Sequence, residues 1–302
     1  MLVIIKMNYF KRLNMNDRNK SLAASIGLII GCVIWGASFY QMKDAMAYIQ
    51  PLPFVAVRMF GGALIVGALA LFLGKNLLSH LKEGFITGIF LSLILISQTV
   101  GLKLTSASNS GFITGMFIVT VPLFSLLMYK EKTSILKSIA IGVNLIGLWF
   151  LTGGLTYINA GDMWTIFTAI VCGIQIVYLS KIMKQSEIDA LVLCFQMFFV
   201  TALVSFIVSL ILGQPFEFGS KGNIIRIIYL IAFPTSLSFV LQMIAQKYIS
   251  TIRASLLLTT EPISAALFAW TLGGEKYIPI AAFGGFLMVA GMFISEIPEK
   301  KK

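Results

Sequence analysis

Long apolar runs alternate with short polar breaks along the chain, and the runs recur ten times. They cover approximately residues 21–42, 52–73, 84–102, 108–128, 134–152, 162–183, 188–212, 224–246, 251–272 and 277–296. Each is close to the ~20 residues an α-helix needs to cross the ~30 Å hydrocarbon core of a bilayer. The longest connectors fall near 153–161 and 213–223, which leaves no room for an extramembrane domain. The pattern predicts an all-α polytopic membrane protein with ten transmembrane helices.

The runs are not independent of one another. Displaced by 144 residues, the chain matches itself: Gln98 meets Gln242, Lys103 meets Lys247, Ser106 meets Ser250, Glu131 meets Glu275, Lys132 meets Lys276 and Gly147 meets Gly291. Coincidences of Leu and Phe between apolar helices are cheap, whereas Gln, Lys, Ser and Glu-Lys matches in one register are not. The expected organisation is a lead-in at 1–20, a first five-helix repeat at 21–152, a second at 162–296 and a basic tail at 297–302. An odd number of spans per repeat forces the second half to enter the membrane upside down. Inverted repeats of this kind are common in secondary transporters, where a midplane site between the halves is exposed alternately to the two sides.

Composition supports this reading. With 58% hydrophobic and 12% charged residues among 302, the chain carries more apolar surface than a water-soluble fold of its size buries. Its mean hydropathy is +0.92. The net charge of +11 reports topology and not a nucleic-acid partner, because the basic residues sit in connectors and form no solvated patch. With the N-terminus placed in the cytoplasm, 17 of the 23 Lys and Arg lie on the inner side. The outer side takes Lys43, Lys103, Lys221, Arg226 and Lys276, and only Arg58 is inside a span. The excess of inner positive charge places both termini, including Lys300–Lys302, in the cytoplasm of a multi-pass cell (inner or plasma) membrane protein. Leu2–Ile5 is too short for a signal-peptide core, and Met7 and Met15 are alternative starts.

Little conventional catalytic or metal chemistry is available. Cys32, Cys172 and Cys194 are far apart and inside apolar runs, and His80 is the one histidine. No cofactor, metal site or enzymatic activity is expected. No GxxxxGK[ST] loop is present for ATP hydrolysis.

The candidate functional residues are the polar groups at membrane depth. Glu261 lies near the centre of the ninth run, immediately before Pro262. A carboxylate there costs about 2.5–3.5 kcal/mol on insertion scales, and ionisable residues at that depth face a cavity or a partner. It is a candidate proton- or cation-sensing group; in the alternative, it hydrogen-bonds carbonyls freed by Pro262. Arg58 is a candidate for an internal gating pair, for binding a substrate carboxylate, or for snorkelling to the outer interface. Cavity candidates are Trp35, Gln98, Asn109, Gln175, Tyr178 and Gln242; helix-to-helix hydrogen bonding is the competing role for the polar ones and packing for Trp35. Polar stripes at helical spacing occur at Thr235, Ser238, Gln242 and Gln246, and at Trp164, Thr168, Gln175 and Tyr178. Pro122 and Pro262 are expected to kink or interrupt their helices, and Glu131 and Glu275 to form interfacial salt bridges or caps.

Together, these residues resemble the EamA type of the drug/metabolite transporter superfamily. The resemblance spans about 21–296. It rests on Trp35-Gly36-Ala37-Ser38-Phe39, on Arg58, on TSASNSGFITGMFIVTVP from Thr105 to Pro122 followed by Glu131, on Gly161-Asp162, and on STIRASLLLTTEP from Ser250 to Pro262 followed by Glu275. It implies two inverted five-helix repeats around a central cavity and export of amino acids, related metabolites or drugs. The expected partners are a small-molecule substrate and membrane lipid, with a homodimer left open. Multidrug or cationic-compound efflux, a non-catalytic membrane partner and a lipid-translocating protein are the alternatives.

Overall fold

The computed structural model describes residues 16–105, 107–153, 158–185, 187–272, 276–295 and 297; Tyr40, Lys43, Ala107, Ser108, Asn109, Gly111 and Ala269 are described by backbone alone. The described residues are helical with short connectors, and contain no strand. Spans one to three are α1 (Asp17–Ala45), α2 (Pro51–Phe72) and α3 (Leu81–Leu104). The fourth is divided into α4 (Ala107–Gly115) and α5 (Phe117–Tyr129), and the fifth is α6 (Ile135–Thr152). In the second half, α7 (Ala160–Ile182) and α8 (Ala190–Ile211) are the sixth and seventh. The eighth runs through α9 (Lys221–Leu230), a π-helical segment Ile231–Leu237, and α10 (Ser238–Tyr248). The ninth is divided into α11 (Thr251–Leu258) and α12 (Thr260–Thr271), and the tenth is α13 (Pro279–Ser295). Eight segments are long and apolar enough to cross a membrane singly, α13 is a shorter apolar helix, and α11 with α12 completes the ten.

Helix ends follow local chemistry. Ser134, Asn159, Asp189, Ser220 and Ser250 each accept a backbone N–H from the first turn of the helix they precede. Asn159 and Asp162 form a reciprocal capping box at the start of α7.

Packing makes the duplication visible in three dimensions. The first helix of each half is exchanged: α1 packs on the eighth and ninth spans, and α7 packs on the third and fourth. The resulting bundles are joined by two pairs, α2 with α8 and α6 with α13, each a helix against its own repeat equivalent. At the second pair a Cβ on Gly147 would strike the Gly284 carbonyl, and one on Gly291 would strike the Ala140 carbonyl. Gly147 and Gly291 are 144 apart, as are Ala140 and Gly284, so these are one contact seen twice about a pseudo-twofold axis. Asn144 lies next to that axis, and its Nδ2 donates to the carbonyl of Met288, 144 residues on, at 3.1 Å. A second such pair is Gly36 against Ser264 and Gly173 against Thr120, with Ser264 and Thr120 again 144 apart and the two glycines 137 apart. With five spans in each half the repeats are inverted, and small residues allow backbone approaches that lipid cannot drive by hydrophobicity.

The interruptions are also duplicated. Met116 (φ −65°, ψ −5°) and Thr259 (φ −70°, ψ −2°) share one backbone geometry. Each donates its N–H to the carbonyl three residues back, Ile113 at 3.1 Å and Leu256 at 3.2 Å, a local tightening of one turn. The prolines, expected to kink or interrupt their spans, do not stand at the interruptions themselves. Pro122 lies inside α5, six residues beyond the interruption, and Pro262 lies in the first turn of α12, where a missing N–H leaves few bonds unmade.

Candidate functional site

The polar groups at membrane depth converge where α1, α2, α7, the eighth span and the ninth span approach one another. The eighth span supplies the frame through its π-helical turn, which contains Pro234. A π segment leaves backbone carbonyls without their usual i+4 donors, and side chains take them up. Trp35 Nε1 donates to the Pro234 carbonyl at 2.6 Å, while Thr235, Ser236 and Ser238 hydroxyls donate to carbonyls five residues back, those of Leu230, Ile231 and Phe233. Trp35 also meets Phe239 edge-to-face at 5.0 Å between centroids, and Phe239 meets Phe198 likewise at 5.4 Å.

Arg58 is 6% exposed and turned inward, so the snorkelling alternative is overturned. Its Nε donates to Thr235 Oγ1 at 2.6 Å, and its Nη1 to the Met42 thioether at 3.2 Å. Nη2 donates to none of the described residues. Glu261 is partly buried, in the first turn of α12 and halfway along the ninth span. Among the described residues it makes no hydrogen bond, and no ion pair within 4 Å. It lies within electrostatic reach of Arg58 and of Cys32 and Cys172. The structural role of bonding carbonyls freed by Pro262 is therefore not taken up. The positive end of the α12 dipole sits beside the carboxylate, as in transporters that bind ions at half-helix ends.

Toward the face where the chain enters α1, the eighth span continues with Gln242 and Gln246. Gln242 is 6% exposed, and its amide has no hydrogen-bond partner among the described residues. Gln246 is fully buried; its Nε2 donates to the Ile176 carbonyl at 3.5 Å and its Oε1 is unpartnered. That bond crosses between the two bundles. On the same side α11 also packs on α5 and α7. The symmetry-related approach of α12 to α4, on the opposite side, is not made to a comparable extent among the described residues.

The other expected site residues are dispersed. Gln175 donates to the Thr87 carbonyl at 3.3 Å and faces α3 and α8, and Tyr178 packs edge-to-face on Phe90 of α3. Both lie on the packing side of α7, together with Thr168, which bonds Ser97 at 2.7 Å. Trp164 is 46% exposed and outside that buried face. Gln98 on α3 is partly buried. Glu131 accepts from Ser125 Oγ at 3.0 Å and pairs with Lys181 at 3.9 Å. The side chain of Asn109 and the whole of Glu275 lie outside the described residues, as does the Lys300–Lys302 tail. Pro234, the residue that organises the site, was not among the candidates, although a proline in the middle of the eighth apolar run was a readable signal. Met42 carried no signal at all.

Ten spans in two inverted repeats, with a buried cation, a carboxylate unpaired among the described residues and an irregular helix midway along the eighth span, define a polytopic membrane transporter. Two stretches, 22–153 and 159–296, match the model of the EamA-like transporter family. The chain belongs to that family. It is similar to an uncharacterized transporter of Archaeoglobus fulgidus, 29% identical over 96% of this chain and 91% of that protein. It is also similar to the uncharacterized transporter YoaV of Bacillus subtilis, 25% identical over 89% of this chain and 95% of that one. A solved crystal structure of 17% sequence identity superposes with a TM-score of 0.79 over 91% of this chain and 96% of its own, a likeness of fold.

Proposed function

We propose that the protein is a secondary transporter that exports small organic solutes, such as amino acids or related metabolites, across the cell membrane by alternating access coupled to protons. Glu261 carries the reading. It is a carboxylate halfway along a span, without hydrogen bond or ion pair among the described residues, at the start of a half-helix. Such a group alternately takes a proton and a solute, provided that each excludes the other. In this reading Trp35, Arg58, Gln242 and Glu261 form the solute site, joined by Gln98 of α3 from the other repeat. The charge asymmetry of the connectors supports cytoplasmic termini. With that orientation the bundles meet on the cytoplasmic side through α5, α7, α10 and α11, which supports an outward-facing state.

Purified protein in liposomes, offered labelled amino acids and cationic dyes under an imposed proton gradient, tests the reading. Saturable movement that follows the gradient is expected; movement indifferent to it contradicts the coupling. Reporters fused after residues 158 and 302 should lie on opposite sides of the membrane, the second in the cytoplasm. The same side for both would break the orientation.

A further inference from the structure

We propose that Arg58 is the specificity-determining residue of this transporter and holds a carboxylate of the solute. The inference rests on the solute site lying between Arg58 and Glu261. A guanidinium is a planar fork of five donors that cannot lose its charge in a protein, and a buried one needs an anion or a full set of acceptors. Arg58 has neither. Its described partners are one hydroxyl, Thr235 Oγ1, and one thioether, Met42 Sδ, which is a weak acceptor. No carboxylate among the described residues lies within ion-pair distance of it, and Glu261 acts on it only from farther away. The two existing bonds fix the plane of the guanidinium: the Nε bond ties it to the π-helical turn, and the Nη1 bond to α1. The Nη2 edge remains for a planar acceptor.

Charge balance narrows the class. One buried cation with one carboxylate in range sums to zero, so a solute of no net charge, its carboxylate on Arg58 and an ammonium toward Glu261, suits the site better than a phosphomonoester. A purely cationic solute would be set beside Arg58 at a cost, which tells against the efflux of cationic drugs. Trp35 of α1 and Phe239 of the eighth span, in edge-to-face contact and backed by the buried Phe198, offer the solute's apolar body an aromatic surface.

Three probes of one shape separate the alternatives: L-leucine, 4-methylpentanoate, which keeps the carboxylate and loses the amine, and leucinamide, which keeps the amine and loses the carboxylate. Thermal unfolding of the full-length protein in detergent is followed with each at up to millimolar concentration, without any gradient, so the result is independent of proton coupling. L-leucine and 4-methylpentanoate should raise the Tm of the wild type by a few degrees, and leucinamide should not. Arg58→Lys, which keeps the charge and loses the fork, should need about tenfold more L-leucine for the same shift. Arg58→Gln should show no shift, and if it does not fold, the lysine variant carries the test. Stabilisation by leucinamide equal to that by L-leucine, no shift with either carboxylate, or an unchanged L-leucine response in Arg58→Lys would each overturn the proposal.

Discussion

The fourth and ninth spans are copies of one element, and they have come to do different things. Both break after one tightened turn, at Met116 and at Thr259, with nearly the same backbone angles. The residues just past the break differ. In the fourth span Phe117-Ile118 follow it, both buried in the apolar core; in the ninth, Thr260 follows and then Glu261-Pro262, the pair 144 residues on from Phe117-Ile118. The break belongs to the architecture, because it recurs where no proline or acid stands beside it. The chemistry belongs to one copy. The eighth span differs from the third in the same sense, because its π-helical turn at Ile231–Leu237 has no counterpart in the continuous α3. The second half has become the irregular, polar one, and most of the first half supplies a regular frame.

The comparison breaks most visibly if the carboxylate is moved. Phe117→Glu should destabilise the protein by about 2.5–3.5 kcal/mol, the insertion cost of an acid at span centre. Combined with Glu261→Gln it should not restore coupling, because no guanidinium anchored on a π turn stands opposite it. Thermal unfolding and gradient-driven uptake check the two parts. Gly284→Leu, at the contact on which the pseudo-twofold arrangement rests, should cost about 1–3 kcal/mol by overpacking against Gly147 and Phe150. Gly285→Leu, one position along, meets only ordinary contacts and should cost less in the same melt. The prolines should show the smallest effects, with opposite weight to their apparent importance. Pro122→Ala restores an interior helix bond and should stabilise by about 1 kcal/mol, while Pro262→Ala, in a first turn, should change stability by less than about 0.5 kcal/mol. A larger effect at Pro262 would mean that the proline, and not the tightened turn, makes the ninth-span break.

Much of this was readable from the residues. Ten spans and their inverted duplication emerged from apolar runs and one register shift, because a bilayer requires every buried backbone group to be bonded within a helix. Gly147 and Gly291, matched in sequence, proved to be matched in space. Glu261 and Arg58 stood out because charge inside a span is rare. What could not be read was which face of a helix turns to which neighbour. Gln175 and Tyr178 share a polar stripe with the right spacing, yet that stripe packs on α3, since hydrogen bonding between helices and cavity lining draw on the same residues. The exchange of α1 and α7 between the halves left no trace in any local pattern. The break at Met116 was hidden for a related reason: a single tightened turn needs no special residue, whereas Pro122 advertised an interruption it does not make.

The account places coupling at one carboxylate in one of two equivalent spans. The direct measurement is uptake by Glu261→Gln protein in liposomes, with and without an imposed proton gradient, across a series of pH values. The account predicts that the variant, which keeps the shape and hydrogen-bonding capacity of the side chain, loses at least about tenfold of the gradient-driven rate and any dependence on pH, while still folding with a Tm near that of the wild type. Full gradient-driven transport with the wild-type pH profile in Glu261→Gln would contradict it.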